Sequence, residues 1–277
     1  MKLKFVKMSG AGNDFILLDN MDSSLDDIIT PDLIRKLCAR GLSVGADGLL
    51  ELKDDSEYAF RMKFYNNDGK AAVMCGNGGR CIAGYAASAG IVPDRGIFRF
   101  RSDAGVHFAE ITGQNSVRLW MTAPEVHYLD RYIDLDSVGL RLSFLNTGVP
   151  HIVVMFAESE EFPFEELAPI LRNHALFGKE GANVDFAWIT GKSDLSIRTW
   201  ERGLEGETLA CGTGAVASAI CAANIHKMCL PLNITVRSGR ILKVGKSSHG
   251  WWLQGEARTV YEGVLESPPN EDLTVAL

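Results

Sequence analysis

The chain has 277 residues, of which 46% are hydrophobic and 23% charged, and its formal net charge is −7. This composition is that of a globular protein and excludes a disordered chain. A pI near 5.4 argues against a nucleic-acid partner or an anionic membrane surface, since either would require a basic face.

The amino terminus gives no sign of a targeting segment. Residues 1–8 alternate charged and apolar side chains, which predicts a half-buried strand and not a signal peptide. No stretch approaches the roughly 20 apolar residues that a membrane-spanning helix needs. We therefore expect a cytoplasmic protein whose six cysteines are reduced. The cysteines and histidines also lack the spacing of a metal site, so no structural metal is expected.

The predicted elements follow the same order twice along the chain. The first series begins with a strand and a Gly-rich turn. An amphipathic helix is then predicted at 32–39, a short apolar helix at 80–89, and strands at 97–101 and 117–121. The second series has its helices at 164–174 and 215–225 and its late strands at 232–237 and 250–254. The two apolar helices are too short for a membrane, so each is expected inside its own domain.

A repeat in the residues themselves supports this order. Four segments recur at an offset of about 136 residues, the clearest being Met74–Gly79 against Ala210–Ala215. The fold class predicted is α+β, with two pseudo-symmetric domains from an internal duplication, each a curved, barrel-like sheet around a central buried helix. We expect an N-terminal half at 1–122 and a C-terminal half at 123–262, with the tail 263–277 returning to the first half and the active site in the cleft between the halves.

Cys75 and Cys211 occupy equivalent places in the repeat, each just before glycines that open an apolar helix. The first N–H groups of a helix lack internal partners and carry a partial positive charge, which favours a thiolate and can also bind an anion. Either Cys-Gly-x-Gly segment alone indicates an ordinary helix start. The pair at matching positions favours a functional role, whereas Cys38, Cys81, Cys221 and Cys229 are expected to be core residues.

Two acid/base groups that face each other across one carbon would invert its configuration. One removes a proton from one face, and the other delivers a proton to the opposite face. Two helix N-termini aimed at the substrate carboxylate would stabilise the carbanion between these steps.

Other polar residues lie nearby along the chain. Glu201 and Arg202 end a strand about ten residues before Cys211, as Asn66 does before Cys75. Asn13 lies in a turn, where such a residue often bonds only its own backbone. His151 either tunes a thiol by hydrogen bonding or serves a structural role.

Several motifs together resemble the diaminopimelate epimerase family. They are GAGNDF (10–15), VGADGLL (44–50), NNDG (66–69), CGNGGRC (75–81), GVPH (148–151), GANVDF (181–186) and ERGLEGETLACGTGA (201–215). The resemblance covers most of the chain, and the two cysteine motifs are its most specific part. It implies an enzyme that interconverts LL- and meso-diaminopimelate in lysine and peptidoglycan precursor biosynthesis. The resemblance also implies that the enzyme needs no cofactor, neither pyridoxal phosphate nor a metal, and that it is a homodimer.

The resemblance also implies roles for individual residues. Cys75 and Cys211 would be the acid/base pair, with pKa values tuned by His151 and Glu201. The reacting carboxylate would be bound by the backbone N–H groups of Gly76, Asn77, Gly212 and Thr213. Asn66 and Glu201 would lie around the reacting centre, with Glu201 as the partner of its ammonium group. Asn13, Asn183 and Arg202 would bind the distal end, where a guanidinium can grip a carboxylate with two hydrogen bonds.

Two positions depart from the family pattern. Val149 stands where many members have Asn, and Gly48 where some have Gln. Both positions touch the distal end of the substrate in the family. The departures leave the expected chemistry intact but remove two side-chain contacts.

Two other functions remain open on the sequence. One is a racemase of another amino acid on the same fold, such as histidine, although Arg202 with Asn13 and Asn183 favours a zwitterionic distal end. The other is a binding or redox-sensing protein whose two cysteines form a reversible disulfide. That alternative leaves the helix-opening glycines and the Glu201–Arg202 pair without a role.

Overall fold

In the computed structural model, which describes residues 2–135, 138–156 and 163–266, the chain divides into two units. The first contains the chain up to Leu119 and the segment that begins at Glu256, and the second contains Trp120–Gly255. The sequence predicted a boundary after residue 122 and a return of the chain to the first unit at residue 263. The chain returns earlier, because the strand Arg258–Leu265 pairs with the first strand from Ser9↔Arg258 to Leu3↔Leu265. Of the predicted tail, residues 267–277 lie outside the described residues.

The first unit contains two helices and most of the early strands. Its elements are β1 (Leu3–Gly10), β2 (Asn13–Asn20), α1 (Pro31–Cys38), β3 (Gly48–Lys53), β4 (Arg61–Asn66), β5 (Ala71–Ala72), α2 (Gly76–Ser88), β6 (Ile97–Ser102), β7 (Gly105–Gly113) and β8 (Ser116–Trp120). The last strand of the described chain, Arg258–Leu265, completes the unit.

Helix α2 lies at the centre of this unit. It contacts β1, β2, β3, β4, β7 and the Arg258–Leu265 strand, so the sheet curves around it. The core around the helix includes Phe15, Leu50, Met62, Phe100 and Leu119. Helix α1 covers the outer face of the same sheet through Leu33, Ile34 and Leu37.

The second unit repeats this construction. Its elements are β9 (Glu125–Leu135), β10 (Val138–Asn146), β11 (Pro150–Phe156), α3 (Phe164–Asn173), a short 3-10 helix (Ala175–Phe177), β12 (Asn183–Gly191), β13 (Asp194–Glu201), β14 (Gly206–Thr208), α4 (Gly212–Ile225), β15 (Leu232–Thr235), β16 (Ile241–Ser247) and β17 (Gly250–Glu256). The returning strand is then β18 (Arg258–Leu265). Helix α4 contacts β9 to β13 as well as β15 and β16.

The strand pairings match between the two units. A parallel pair joined through a helix, β2–β3 in one unit and β11–β12 in the other, is followed by an antiparallel partner, β4 or β13. Each of these partners then pairs in parallel with the strand that follows the central helix, β6 or β15. The predicted fold class, α+β from a duplication with a curved sheet around a buried helix in each half, is confirmed.

Three local predictions differ from the structure. Cys229, which was expected in the core, is exposed. The central helices begin at Gly76 and Gly212, four and three residues before the predicted apolar stretches, because each preceding cysteine caps its helix. Strand β1 is buried at seven of eight positions and is not half-buried. The reason is that α1 covers one of its faces and α2 the other, so that even Lys7 is buried.

No helix of the described residues is long and apolar enough to cross a membrane.

Candidate active site

Cys75 is the N-cap residue of α2. Its backbone is extended (φ −134°, ψ 121°), and its sulfur accepts the N–H of Gly78 at 3.5 Å. A Cβ added at Gly76 would have no atom within 4 Å, so the space beside the first helical residue is open. The half-buried thiol therefore lies at the positive end of the helix, next to backbone that a ligand can approach.

Two amide side chains surround this thiol. The Asn13 Oδ1 atom lies 3.7 Å from the Cys75 sulfur and 3.3 Å from Nδ2 of Asn77, which donates to it. The Asn13 Nδ2 group donates to Asp47 at 2.6 Å. Because a carboxylate can only accept, Asp47 fixes the Asn13 amide with its oxygen towards the thiol.

Asp47 belongs to a cluster of four paired charges. Arg40 forms ion pairs with both Asp47 and Asp14, and buried Lys7 pairs with Asp14 at 2.6 Å. Burial alone would raise the pKa of Asp14, but Arg40 and Lys7 hold that pKa below its ordinary value. The cluster thus provides a rigid support for Asn13.

Cys211 is the N-cap residue of α4 in the second unit. Its backbone is again extended (φ −113°, ψ 111°), and its sulfur accepts the N–H of Gly214 at 3.4 Å. Unlike Cys75, it is only 5% exposed. A Cβ at Gly214 would lie 2.2 Å from Oδ1 of Asp185, so this position of the helix requires glycine.

A chain of hydrogen bonds leads from Cys211 into the interior. The sulfur lies 3.4 Å from Oγ1 of Thr213, which lies 2.9 Å from Nε2 of His151, whose Nδ1 lies 2.6 Å from Oδ2 of Asp185. Both His151 and Asp185 are completely buried. Asp185 can only accept, so Nδ1 donates to it. In this tautomer of the neutral ring, Nε2 is the acceptor for the Thr213 hydroxyl and for Asn183 Nδ2 at 3.5 Å. The Thr213 oxygen is then left to accept the Cys211 S–H.

Glu201 is the second carboxylate beside Cys211. It ends β13, accepts the Thr208 hydroxyl at 2.7 Å and is hydrogen-bonded to Cys211. Burial raises the pKa of Glu201, and these two hydrogen bonds oppose the rise. Burial also raises the pKa of the Cys211 thiol well above its ordinary range, and the charges of Glu201 and Asp185 add to that effect.

The structure places the remaining predicted residues as follows. The Asn183 Oδ1 atom accepts the backbone N–H of Arg202 at 2.8 Å, which ties these two residues together near His151. The Arg202 guanidinium has no hydrogen bond or ion pair to any residue that the structure describes. Asn66 is exposed at the end of β4, where its backbone N–H donates to Lys70 and its carbonyl accepts from Gly69.

Asp185 is the residue that the sequence analysis missed. A signal for it exists, because alternate residues of a strand share a face, and Asn183 and Asp185 are separated by two positions in β12. The parallel register places His151 opposite Asn183 and Val153 opposite Asp185. A buried face with two polar side chains beside a histidine is typical of a hydrogen-bond network.

The structure gives a reason for one departure from the family pattern. A Cβ at Gly48 would lie 2.6 Å from the Tyr65 carbonyl oxygen and 2.7 Å from the Phe64 ring. A glutamine there would require a shift of β4 relative to β3. The Val149 carbonyl accepts the N–H of Thr147 at 3.2 Å. Nothing in the structure explains why this position is valine and not asparagine.

In the described ranges, no group of three or more His, Cys, Asp or Glu residues is arranged to hold a metal ion.

Comparisons with known sequences identify one family. The family model for diaminopimelate epimerase matches residues 5–127 and 143–260. A protein of Chlorobaculum tepidum named diaminopimelate epimerase is 40% identical over 262 residues, covering 93% of this chain and 99% of that protein. Proteins of the same name from Flavobacterium psychrophilum and Aquifex aeolicus are 39% and 37% identical, and each comparison covers 95% of this chain and 98% or more of the relative.

Solved structures show the same fold at low sequence identity. A probable proline racemase from Agrobacterium radiobacter has a TM-score of 0.69 at 15% identity, covering 94% of this chain and 92% of its own. A PhzF-family phenazine biosynthesis protein from Bacillus anthracis has a TM-score of 0.69 at 12% identity, covering 96% and 99%. These likenesses concern the fold alone.

Proposed function

The chain belongs to the diaminopimelate epimerase family, and we propose that it is an isomerase that interconverts LL- and meso-2,6-diaminopimelate without a cofactor, in lysine and peptidoglycan precursor biosynthesis. The observation that carries the proposal is the capping of both central helices by a cysteine. Each sulfur accepts the N–H group three residues ahead, at 3.5 Å for Cys75 and 3.4 Å for Cys211.

The two cysteines are the acid and the base of the proposed reaction. The thiolate of one removes the α-proton, and the electron pair of the broken C–H bond stays on the carbon and its carboxylate. The thiol of the other then gives its proton to the opposite face, which leaves the configuration inverted and the two sulfurs with exchanged protonation states. The reverse direction uses the same groups with their roles exchanged.

Stabilising the carbanion is the task of the helix N-termini. In the proposal, the N–H groups of Gly76 and Asn77 and those of Gly212 and Thr213 bind the substrate carboxylate. Each well-placed donor of this kind contributes on the order of 3 kcal/mol in a site without water. Glu201 lies beside Cys211 and would take the ammonium group of the reacting centre.

The distal end of the substrate needs its own recognition, because the enzyme must invert one centre and leave the other. Arg202 is suited to the distal carboxylate, since its guanidinium has no partner in the described part of the chain and can donate two parallel hydrogen bonds. Asn183 would position Arg202 through its backbone N–H. Asn13, whose oxygen lies beside the Cys75 thiol, would be the third residue of this group.

We also propose a homodimer located in the cytoplasm. Support for the dimer comes from β18, which has β1 as its neighbour on one side and exposes Val260, Tyr261 and Val264. Light scattering should give about twice the chain mass of 30.3 kDa. Support for the location comes from the reaction, since two free thiols need a reducing compartment.

Isotope exchange tests the proposed function. Purified protein is incubated with LL-diaminopimelate in D2O with no added cofactor. Early product should carry deuterium at the α-carbon while the remaining substrate stays protiated, because the acid on the product face has exchanged with solvent. Deuterium that appears equally in unreacted substrate would indicate a single base. No turnover, together with turnover of histidine, would favour a racemase of another amino acid.

A further inference from the structure

Arg172 lies in the last turn of α3, and its side chain is only 10% exposed. Its guanidinium donates to the carbonyl oxygen of Glu180 at 2.8 Å and to the carboxylate of Glu205 at 2.6 Å. Among the described residues, Glu205 is its only ion-pair partner. One buried side chain therefore joins two distant segments of the chain, the segment that precedes Asn183 and the turn that follows Arg202.

The first of these segments, 180–182, leads directly into β12, whose first residue is Asn183. The Ala182 N–H donates to the carbonyl oxygen of Arg172 at 3.4 Å. A Cβ at Gly181 would overlap both that oxygen and the guanidinium, and Gly181 has a φ of 64°, which favours glycine. The close approach of Arg172 thus fixes the backbone from which the Asn183 side chain extends.

The second segment is the turn 202–205 between β13 and β14, which begins with Arg202 and ends with Glu205. At its start, the Arg202 N–H donates to Oδ1 of Asn183 at 2.8 Å. At its end, the Glu205 N–H donates to the carbonyl oxygen of Glu201 at 2.9 Å. The turn is therefore bonded to the two segments beside it, and Arg172 holds its last residue from outside.

The conformation of Glu205 depends on the contacts of its carboxylate. Its φ of 52° is in the left-handed region, which is unfavourable for a residue with a side chain. The carboxylate accepts the Gly203 N–H at 3.1 Å, and the same oxygen pairs with Arg172. The hydrogen bond from Gly203 and the pair with Arg172 hold the pKa of Glu205 below its ordinary value, so the carboxylate is charged at neutral pH. Arg172 thus acts on the whole turn through Glu205.

The repeated fold does not require this ion pair. Gly69 matches Glu205 at the offset of the repeat, and it has no side chain with which to form one. The Glu205 side chain is 49% exposed, and a pair with so exposed a member contributes little to stability. The second unit differs at the start of the turn as well, where Arg202 stands in place of Asn66. The ion pair therefore accompanies the guanidinium that is proposed to bind the distal carboxylate.

We propose that Arg172 and Glu205 are positioning residues for the distal end of the substrate. Their ion pair fixes the turn 202–205, and the turn sets the region that the Arg202 side chain can reach. Since the Arg202 guanidinium has no partner of its own among the described residues, the backbone of the turn is what places it. A backbone fixed in advance reduces the ordering that binding must supply. This inference deepens the proposed function and rests on it.

Hydrogen exchange tests the positioning without any measurement of turnover. Amide exchange of the free protein is followed by mass spectrometry in peptides that cover the turn 202–205. Arg172→Gln leaves the acceptors of the turn amides in place, yet these amides should exchange at least about fivefold faster because the turn opens more often. Arg198→Gln is the matched control and should leave the exchange of the turn unchanged. Arg198 pairs with Glu207 of the same hairpin at 2.7 Å, and this partner lies outside the turn.

Steady-state kinetics with LL-diaminopimelate test the consequence for the substrate. A distal contact is the same in the ground state and the transition state, so its loss raises KM and leaves kcat unchanged. Arg172→Gln and Glu205→Ala should each raise KM at least about fivefold, with kcat within about twofold of the unmodified value. The double variant should be no worse than either single variant, because the two residues act as one pair. Arg198→Gln should leave KM within about twofold.

The outcomes separate positioning from a structural role. Unchanged exchange of the turn in folded Arg172→Gln would overturn the inference, and so would faster exchange with an unchanged KM. A lower kcat with an unchanged KM would show only a loss of folded enzyme and would also overturn it. If Arg172→Gln does not fold, Glu205→Ala decides through KM and through exchange of the Arg202 amide, since Glu205 is exposed. If the unmodified protein does not turn over diaminopimelate, the proposed function fails instead, and faster exchange in Arg172→Gln would still support the positioning of the turn.

Discussion

Replacing Asp185 with asparagine reverses the direction of the hydrogen bonds that lead to Cys211. In the protein, Asp185 accepts from Nδ1 of His151, so Nε2 of His151 accepts from Thr213 and the Thr213 oxygen faces the Cys211 thiol as an acceptor. The introduced amide can donate to Nδ1. His151 then carries its proton on Nε2 and donates to Thr213, whose hydroxyl turns towards the sulfur.

The magnitude of the effect follows from burial and geometry. Both His151 and Asp185 have side chains that are 0% exposed, so water cannot replace the lost acceptor. A correctly oriented acid/base arrangement contributes about 10²–10⁴ in rate, and we expect kcat to fall by that factor in Asp185→Asn. Stability should fall by less than about 2 kcal/mol, because the change leaves no unpaired charge and the bond from Thr199 can persist.

The assay separates these two effects. Steady-state kinetics by chiral chromatography of the diaminopimelate isomers gives kcat and KM, and thermal unfolding gives the stability, where 2 kcal/mol corresponds to a Tm shift of at most about 8 °C. Thr199→Val is the matched control. It removes the 2.7 Å hydrogen bond to the other oxygen of Asp185 but leaves the direction of the His151 bonds unchanged, so kcat should fall less than about tenfold.

A folded Asp185→Asn protein whose kcat stays within about threefold of the unmodified value would refute this reasoning. Equal losses of kcat in Asp185→Asn and Thr199→Val would also refute it, because the effect would then follow from disturbed packing and not from the reversed hydrogen bonds.

Gly214→Ala should lower stability by more than about 2 kcal/mol in thermal unfolding, since its Cβ would lie 2.2 Å from the Asp185 carboxylate. The matching change Gly78→Ala should cost less, because its nearest neighbour is a flexible Leu50 methyl group at 2.9 Å; the reverse order would contradict the steric argument. Glu201→Gln should stabilise the protein at pH 8 but not near pH 4. Burial raises the pKa of Glu201 above its ordinary value, so the protonated carboxyl stabilises the fold at low pH. This stabilisation is lost as the pH rises through the raised pKa and the buried carboxyl becomes charged. A less stable variant at pH 8 would show that the charged form of Glu201 is favoured in the fold. Dialysis against EDTA should leave turnover unchanged, and a loss restored by a divalent metal would contradict the proposed chemistry.

The duplicated fold could be predicted because the same residue types recur at one spacing and serve the same local geometry each time. Cys75 and Cys211 both cap a helix whose first residue is glycine, and both helices are apolar enough to require a sheet around them. The apolar stretches at 80–89 and 215–225 begin inside these helices, because the glycine-rich first turns have low intrinsic helix propensity and no apolar pattern. The N–H groups of Gly78 and Gly214 donate to the capping sulfurs three residues earlier, and these local bonds are not part of intrinsic helix propensity.

The burial of individual polar residues could not be predicted from the sequence. The alternation of lysine with apolar residues at the start of the chain indicates a strand with one solvent-exposed face. Helices cover both faces of β1, and Lys7 is buried with its charge paired to Asp14. Asp185 gives the same pattern as any polar residue at a strand position, and only the register with β11 brings it to His151. Arg80 likewise looks like a surface residue of a helix until its position inside the curved sheet is known.

Proton exchange in the two cysteine variants tests the division of labour between the thiols most directly. Cys75→Ala and Cys211→Ala are each incubated with both diaminopimelate isomers in D2O, and deuterium at the α-carbon is followed by NMR. We predict that neither variant inverts the centre and that each exchanges the α-proton of one isomer only, a different isomer for each variant. Inversion by either variant, or exchange of the same isomer by both, would contradict the assignment of one thiol to each face.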